Sequence, residues 1–387
     1  MLARRSLTAL AAVGAGAASL LFGTCGPFTD VAADSFCPFV LEIFTLGITT
    51  GTTATTYDPT SSVSRLQMAT FLSRSVDGVL KRGSRRSVLG QPWTARPESG
   101  LGLVTVGLGP NYLQSDGQDV WVSNFSSSTI SRVRASDGKL LETWTGVTVA
   151  YSVLVAMGQI FATGQNIPGY LYRIDPSQAA GAAAAVATIG IFPEAITFDG
   201  SRIWTANVGP PSGGSISIVT PGVSPPWTVT TVTTPFSSIA GALYDGANVW
   251  VTDAFPGFLY KLDATGAITT TVSFGFGQGP LFPLFDGTNI WVPLSGSNSL
   301  AVVRASTGAI LQTLTGNGLS YPTEVAFDGT RILVTNQTGD SVSLWKAADL
   351  TTIGNVLVGV STAPFGACSD GLNFWIVYSE TNRLVRF

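Results

Sequence analysis

The chain of 387 residues contains no histidine. That absence excludes Ser-His-Asp and Cys-His catalysis, imidazole-ligated metals and an imidazole pH switch. An enzyme made from this sequence would have to work with Asp, Glu, Lys, Tyr or Arg, which weighs against catalysis. Charge is scarce as well: Asp, Glu, Lys and Arg supply 11% of the residues and leave a net charge of -3. The longest basic cluster is Arg82-Gly83-Ser84-Arg85-Arg86, so the electrostatic footprint of a nucleic-acid binder is missing. There are three cysteines. Cys25 and Cys37 lie close enough in the chain to pair as a disulfide or to remain two thiols, and Cys368 falls inside a strand pattern as a small core residue.

Apolar runs long enough to matter for a membrane are confined to the beginning of the chain. Arg4-Arg5 followed by the apolar stretch Leu7–Phe22 reads as an export signal over residues 1–24, with an uncleaved anchor as the alternative. The Ala-rich run from Ala179 to Phe192 is too short to span and ends at Pro193. What the sequence has in plenty is glycine, 44 residues, together with Thr, Ser and Val, a composition suited to tightly turned β structure.

That composition is organised as a repeat. Trp121, Phe161, Trp204, Trp250, Trp291, Leu333 and Trp375 follow one another at intervals of 40, 43, 46, 41, 42 and 42 residues. Five residues before six of them stands an Asp-Gly pair, at Asp116, Asp199, Asp245, Asp286, Asp328 and Asp370. Six residues before five of those aspartates stands a proline: Pro110, Pro193, Pro280, Pro322 and Pro364. Each period reads as an inner strand, an Asp-Gly hairpin, an aromatic-bearing strand and two further strands, which is one propeller blade. The last repeat, ending at Arg383-Leu-Val-Arg-Phe387, has only three strands, and Leu101–Gly107 is available to supply the fourth. Residues 101–387 are therefore expected to form a mainly β, seven-bladed β-propeller in which the N-terminal strand closes the last blade. The tracts Trp204-Thr-Ala-Asn207, Trp250-Val-Thr-Asp253 and Leu333-Val-Thr-Asn336 resemble NHL/YVTN-type repeats and, more loosely, the virginiamycin B lyase group. That group's catalytic histidines have no counterpart here, so its activity is not implied.

Between the leader and the repeats, residues 25–80 read as a small helical module and 81–100 as a linker. Pro38 and Gly47 bracket one short helix, and Ser64-Arg65-Leu66-Gln67 has capping-box spacing for a second. Phe28-Thr-Asp-Val31, Leu46-Gly-Ile-Thr-Thr-Gly51, Tyr57-Asp-Pro59 and Val63-Ser-Arg-Leu-Gln-Met-Ala69, followed by Phe71-Leu72, resemble a single S-layer homology motif. The resemblance implies attachment to an acidic cell-wall glycan, with Arg65 as the glycan-contacting residue. Only one motif is found where strongly anchoring chains carry three, and Gln67 replaces the commoner glutamate.

On the propeller, Glu194 and Glu324 near the inner-strand starts, and Asn124, Asn207, Asp253 and Asn336 three residues past the aromatic positions, are the candidates for a ligand face at the channel mouth. The Asn/Asp set also suits hairpin capping. No cofactor is called for; if the two carboxylates take a metal, it is a hard divalent cation, Ca2+ or Mg2+. The resulting expectation is an exported cell-surface or secreted protein, envelope-associated, whose propeller displays a face for a protein or carbohydrate ligand, and which could self-associate. The alternative is an extracellular metal-dependent lyase or hydrolase that uses carboxylates at the mouth.

Overall fold

At each Asp-Gly pair the chain reverses, and the aspartate does the work. One carboxylate oxygen of Asp116, Asp199, Asp245, Asp286, Asp328 and Asp370 accepts the backbone N–H groups two and three residues ahead, at 2.6–2.9 Å. The glycine that follows each has φ between 90° and 97°, open to glycine at no steric cost. The second repeat lacks Asp-Gly and turns through Met157 and Gly158, both at positive φ.

The computed structural model describes residues 27–31, 37, 40, 43–44, 49, 51–65, 67–72, 75, 103–209, 213–233 and 235–387. The expected leader over 1–24, Cys25 and the linker over 81–100 lie outside these residues. The chain divides into two units, Met1–Pro92 and Trp93–Phe387.

In the second unit the hairpins generate seven four-stranded antiparallel sheets. The first blade comprises Pro110–Ser115, Asp119–Asn124, Thr129–Arg134 and Leu140–Trp144, and the pattern recurs with inner strands Ala150–Ala156, Pro193–Phe198, Ile239–Tyr244, Leu284–Phe285, Pro322–Phe327 and Pro364–Ser369. In the seventh blade the fourth strand is Leu103–Thr105, which pairs with Arg383–Arg386 in the register Leu103 to Val385 and Thr105 to Arg383. The ring closes as the repeat count demands, with no open sheet edge at the seam.

Between blades lies the core. Trp121 packs against Val153 and Ile160 of the second blade, Phe161 against Ile203 and Val219 of the third, and Trp204 against Val249 and Val251 of the fourth. Trp250, Trp291, Leu333 and Trp375 repeat the arrangement around the rest of the circle. Each large side chain thus wedges between its own sheet and the next, and burial of an aromatic of this size contributes about 1.5–3 kcal/mol.

One face of the ring is bound by a repeated backbone hydrogen bond. Seven times, the N–H just beyond the aromatic strand donates to the carbonyl just before the inner strand: Phe125 to Gly109, Gln165 to Val149, Val208 to Phe192, Ala254 to Ser238, Ser295 to Gly279, Gln337 to Tyr321 and Ser379 to Ala363, at 2.8–3.4 Å. In six of these places the accepting residue is left-handed, and four of the six are not glycine: Val149, Phe192, Tyr321 and Ala363, with φ of 43–52°. Such a conformation costs a residue with a Cβ about 1–2 kcal/mol, and it sets the angle at which the chain enters the channel wall.

The first unit has a core of its own. Phe28, Val31 and Val40 are buried together, with Cys37, Phe44 and Tyr57 packed against them. Asp30 accepts the N–H groups of Tyr57 and Asp58 at 2.9 and 2.7 Å, which fastens the Phe28–Val31 segment to the Tyr57–Pro59 segment. The capping box forms as the spacing predicts: Ser64 N–H donates to Gln67 Oε1 at 2.8 Å, and Gln67 N–H to Ser64 Oγ at 3.2 Å. Glutamine serves this role as well as glutamate, because only the acceptor oxygen is used.

Candidate functional site

The inner strands enter the channel through an irregularity in pairing. In six blades the register slips within the first residues, between Pro193 and Ala195 for example, or between Pro110 and Leu113. A bulge of this kind turns a side chain that would otherwise lie against the neighbouring sheet. Buried hydroxyls then fix the segment. Ser123 Oγ accepts Tyr112 N–H at 3.1 Å and lies 2.5 Å from the Tyr151 carbonyl of the next blade. Thr335 does the same between Glu324 N–H (3.1 Å) and the Phe365 carbonyl (2.6 Å), and Thr252 between Gly241 and Leu281. Blade-to-blade hydroxyl bridges therefore position Tyr112, Tyr151, Glu324 and Phe365.

These residues converge in the channel. Tyr112 crosses it, its ring 5.3 Å from Tyr151, 4.6 Å from Phe282 and 5.3 Å from Phe365, centroid to centroid. The side chains belong to the first, second, fifth and seventh blades. Tyr112 is 5% exposed, and its hydroxyl makes no close hydrogen bond, only a loose one to the Tyr151 phenol. The acidic groups that act on it are Glu324 and Glu194, with the Tyr151 phenol beside it.

Glu194 and Glu324 are both partly buried, and among the described residues neither has a cation to balance it. Glu194 Oε1 accepts from Gln165 Nε2 at 3.3 Å, and Glu324 Oε2 from the Ala367 N–H at 3.1 Å. The ion pairs of the described propeller join Arg132 to Asp119 and Glu142, Arg134 to Asp137, Arg202 to Asp199 and Arg331 to Asp328, and leave both glutamates out. Burial pushes the Glu194 carboxyl up to about 7. Glu324 is driven well above the usual carboxylate range, again by burial, against the opposing pull of the Ala367 N–H. Burial also raises both tyrosines, and the nearby glutamates add to it.

A cavity of about 500 Å3 opens above this cluster, walled by Tyr151, Phe365, Asn111, Phe125, Gln337 and the loop residues of the first and seventh blades. A larger one, about 740 Å3, lies at the Asp-Gly end between the first and seventh blades. Its carboxylates are already engaged, Asp119 by Arg132 at 2.7 Å and Asp370 by the Trp375 indole at 2.7 Å. The mouth cavity meets the aromatic cluster at Tyr151 and Phe365.

Of the other expected site residues, Asn124, Asn207, Asp253 and Asn336 are fully buried within their own blades. Asn124 Nδ2 donates to Thr129 and Ser131, Asn207 Nδ2 to Ser215 and Ser217, and Asn336 Nδ2 to Ser341 and Ser343. Asp253 accepts the Ser237 and Ser238 N–H groups at 2.8 and 2.7 Å. They tie hairpins together and present no surface to a ligand. Arg65 is exposed on the first unit. Cys37 is disulfide-bonded, Cys368 is a free thiol, and Cys25 is outside the described residues. Among the described residues, no three acidic or cysteine side chains gather as a metal ion would need.

Sequence reading missed Tyr112, Tyr151 and Phe365. All three stand one or two residues past an inner-strand start, the positions occupied by Glu194 and Glu324, so the repeat register carried the signal.

Residues 27–69 match the family described as the S-layer homology domain. Among curated proteins none matches the chain. Among solved structures, selenomethionine-substituted virginiamycin B lyase from Staphylococcus aureus superposes with a TM-score of 0.61 at 16% identity, covering 73% of this chain and 98% of that one. A catalytically inactive variant of the same enzyme with quinupristin gives 0.59 at 16% identity, over 73% and 98%. A streptogramin B lyase gives 0.60 at 16% identity, over 73% and 96%. The likeness is one of fold.

Proposed function

We propose, for a chain that carries an S-layer homology domain at residues 27–69 ahead of a seven-bladed β-propeller, the role of an exported envelope-associated protein that holds a small ligand at its channel mouth. S-layer homology domains bind cell-wall glycans, which supports an association with envelope components, with Arg65 as the glycan contact. The observation that carries the binding role is the mouth cavity walled by Tyr151 and Phe365, beside a buried cluster whose two glutamates enter none of the described ion pairs. Groups left in that condition cost stability, and a ligand that satisfies them offsets the cost.

The test is a small-molecule screen of the full chain by thermal shift, run beside Tyr151→Trp, which narrows the cavity. Hits that stabilise the parent and not the variant support the reading; a screen without hits, or hits indifferent to the variant, contradicts it. For the envelope role, the full chain should co-sediment with isolated cell walls, and Arg65→Ala should weaken this.

A second reading is acid–base chemistry on the bound ligand: Glu194, partly buried and held by Gln165 at 3.3 Å outside any described ion pair, is pushed by burial up to about 7, where a general acid or base works best. Turnover of a bound ligand, lost in Glu194→Gln while binding persists, would establish it.

A further inference from the structure

Charge is divided unevenly between the two ends of the propeller. The Asp-Gly end holds an aspartate in six of its seven hairpins, with Arg134, Asp137, Lys139 and Asp349 in the turns beside them. In the mouth-end loops, from 106–109 round to 379–382, the charged residues among those described are Asp340 and Glu380. Asp340 is engaged within the fold, its carboxylate accepting the Ser361, Thr362 and Ala363 N–H groups at 2.7–2.9 Å. Arg383, the first residue of its strand, donates to Thr105 Oγ1 at the outer edge. What this end exposes instead is apolar: Leu108, Ile167, Phe255, Phe276, Tyr321 and Val360, each at least 41% exposed.

Two of these side chains form a braced projection. Phe255 follows the aromatic strand Val249–Asp253 of the fourth blade, and Phe276 lies in the connection to the fifth. Their rings meet edge to face, with centroids 5.1 Å apart and planes at 81°. The backbone beneath is crossed so closely that a Cβ on Gly257 would overlap the Gly275 carbonyl, and one on Gly296 the Gly277 carbonyl. Phe274 N–H donates to the Gly257 carbonyl at 2.8 Å, and Gly296 N–H to that of Gln278 at 2.9 Å. The loops are therefore fixed with the rings outward, and little ordering is left to do on binding. A phenyl ring has no polar edge to offer water, so only an apolar contact relieves its exposure.

Across the same face, at the first and seventh blades, is the cavity of about 500 Å3, with Leu108 and the rings of Phe125, Tyr151 and Phe365 in its wall among neutral polar side chains and Glu380. One face thus carries a projection and, on the far side of the ring, a ring-walled hollow. A twofold axis in the plane between two such faces sets the projection of each copy over the hollow of the other, and both contacts form at once. The scarcity of charge lets the faces meet without repulsion. A phosphorylated or acidic partner would find no cation in these described loops, and a sugar would meet rings without a polar edge.

We propose that two copies of this chain pair mouth to mouth, Phe255 and Phe276 of each entering the hollow of the other. The inference goes beyond the small-ligand reading and does not rest on it. Because pairing fills the same cavity, a ligand there would compete with a second copy.

The experiment is sedimentation velocity of the full chain at increasing micromolar concentration, beside Phe255→Ser/Phe276→Ser and beside Ser126→Trp, which fills the hollow from its exposed rim. The parent is expected to dimerise, and each variant to weaken the dimer at least about tenfold while melting at the parent's temperature. A mixture of the two variants decides the geometry. Each supplies what the other lacks, so a mixed dimer with one intact contact should form more tightly than either variant pairs with itself. A parent monomeric throughout, or a dimer indifferent to both variants, overturns the proposal. A dimer broken by both variants, with no recovery on mixing, overturns the seating of projection in hollow. Adsorption to phosphatidylcholine vesicles by the parent and not by Phe255→Ser/Phe276→Ser, without a dimer in solution, would assign the face to a bilayer and overturn pairing as well. None of these outcomes removes the small-ligand reading, which the small-molecule screen decides.

Discussion

Trp204 Nε1 donates to Asp199 Oδ2 at 2.7 Å, while Asp199 Oδ1 accepts the N–H of Arg202 at 2.6 Å. The same indole-to-aspartate bond joins Trp121 to Asp116 at 3.0 Å, and Trp250 to Asp245, Trp291 to Asp286 and Trp375 to Asp370 at 2.7 Å each. This is why aspartate and tryptophan recur five residues apart. The ring must be buried to separate two sheets, its one polar atom must find an acceptor, and the turn aspartate has an oxygen to spare. Where the sixth blade has Leu333 instead, the Asp328 oxygen turns to Arg331 Nε at 2.7 Å.

Trp204→Phe keeps most of the wedge and removes the donor. Chemical denaturation should show a loss of about 1–3 kcal/mol. Asp199→Ala should cost more, because it leaves the indole and two turn N–H groups unpartnered, and the two changes together should cost measurably less than their sum.

The mouth predicts opposite signs for one chemical change. Gly109 sits at φ +61° with a would-be Cβ 2.5 Å from Ser126 Oγ, so Gly109→Ala should destabilise by about 1–2 kcal/mol. Ala363 occupies the equivalent place in the seventh blade at φ +43°, and Ala363→Gly should be neutral or stabilising by up to about 1 kcal/mol. Paired urea melts read both.

The blade count, the hairpins and the closing strand were legible because they follow from backbone demands that only a few residue types meet at fixed spacing. The site was half legible. Scarce carboxylates pointed to Glu194 and Glu324, but nothing in the chain marks which side chain a bulge will turn inward, so Tyr112, Tyr151 and Phe365 read as ordinary strand aromatics. Asn124, Asn207, Asp253 and Asn336 carried two readings, a rim and a set of hairpin caps, and their bonds hold the hairpins from within. The loop aromatics divide in a way the sequence does not mark: Trp227 is buried against Phe161, and Phe258 is partly buried beside Tyr260, whereas Phe255 and Phe276, 62% and 75% exposed, stack edge-on with centroids 5.1 Å apart.

Glu194 makes stability depend on pH in a window above the usual carboxylate range. Its folded value, about 7, exceeds the 4.5 of an unperturbed glutamate, so the unfolded chain releases its proton first. The stability it allows is complete below about 4.5 and falls as pH rises through about 7, by about 3 kcal/mol at most. Glu194→Gln should flatten this part of the curve. Asp199 acts at the other end. Burial opposes its ionisation, but the bonds from Trp204, Arg202 and Ser201 prevail and hold it at about 2, so its contribution is present above about 3.8 and lost as pH falls through about 2.

In the first unit, a Cβ on Gly51 would stand 2.4 Å from the Phe28 ring and 2.7 Å from the Thr56 carbonyl, at φ +77°. Gly51→Val in the full chain should abolish co-sedimentation with cell walls. Calorimetry should show the propeller transition shifted by no more than about 0.5 kcal/mol, since the two units have separate cores.

The most direct test of a ligand site at the mouth is the melting temperature of the Glu194→Gln/Glu324→Gln double variant at pH 7.5. Glutamine keeps the oxygen that accepts from Gln165 and from the Ala367 N–H and discards only the uncompensated acid. If the carboxylates are held there for a ligand, the ligand-free variant melts higher than its parent, the usual exchange of function for stability. A lower melting temperature would make the two glutamates structural and contradict the account.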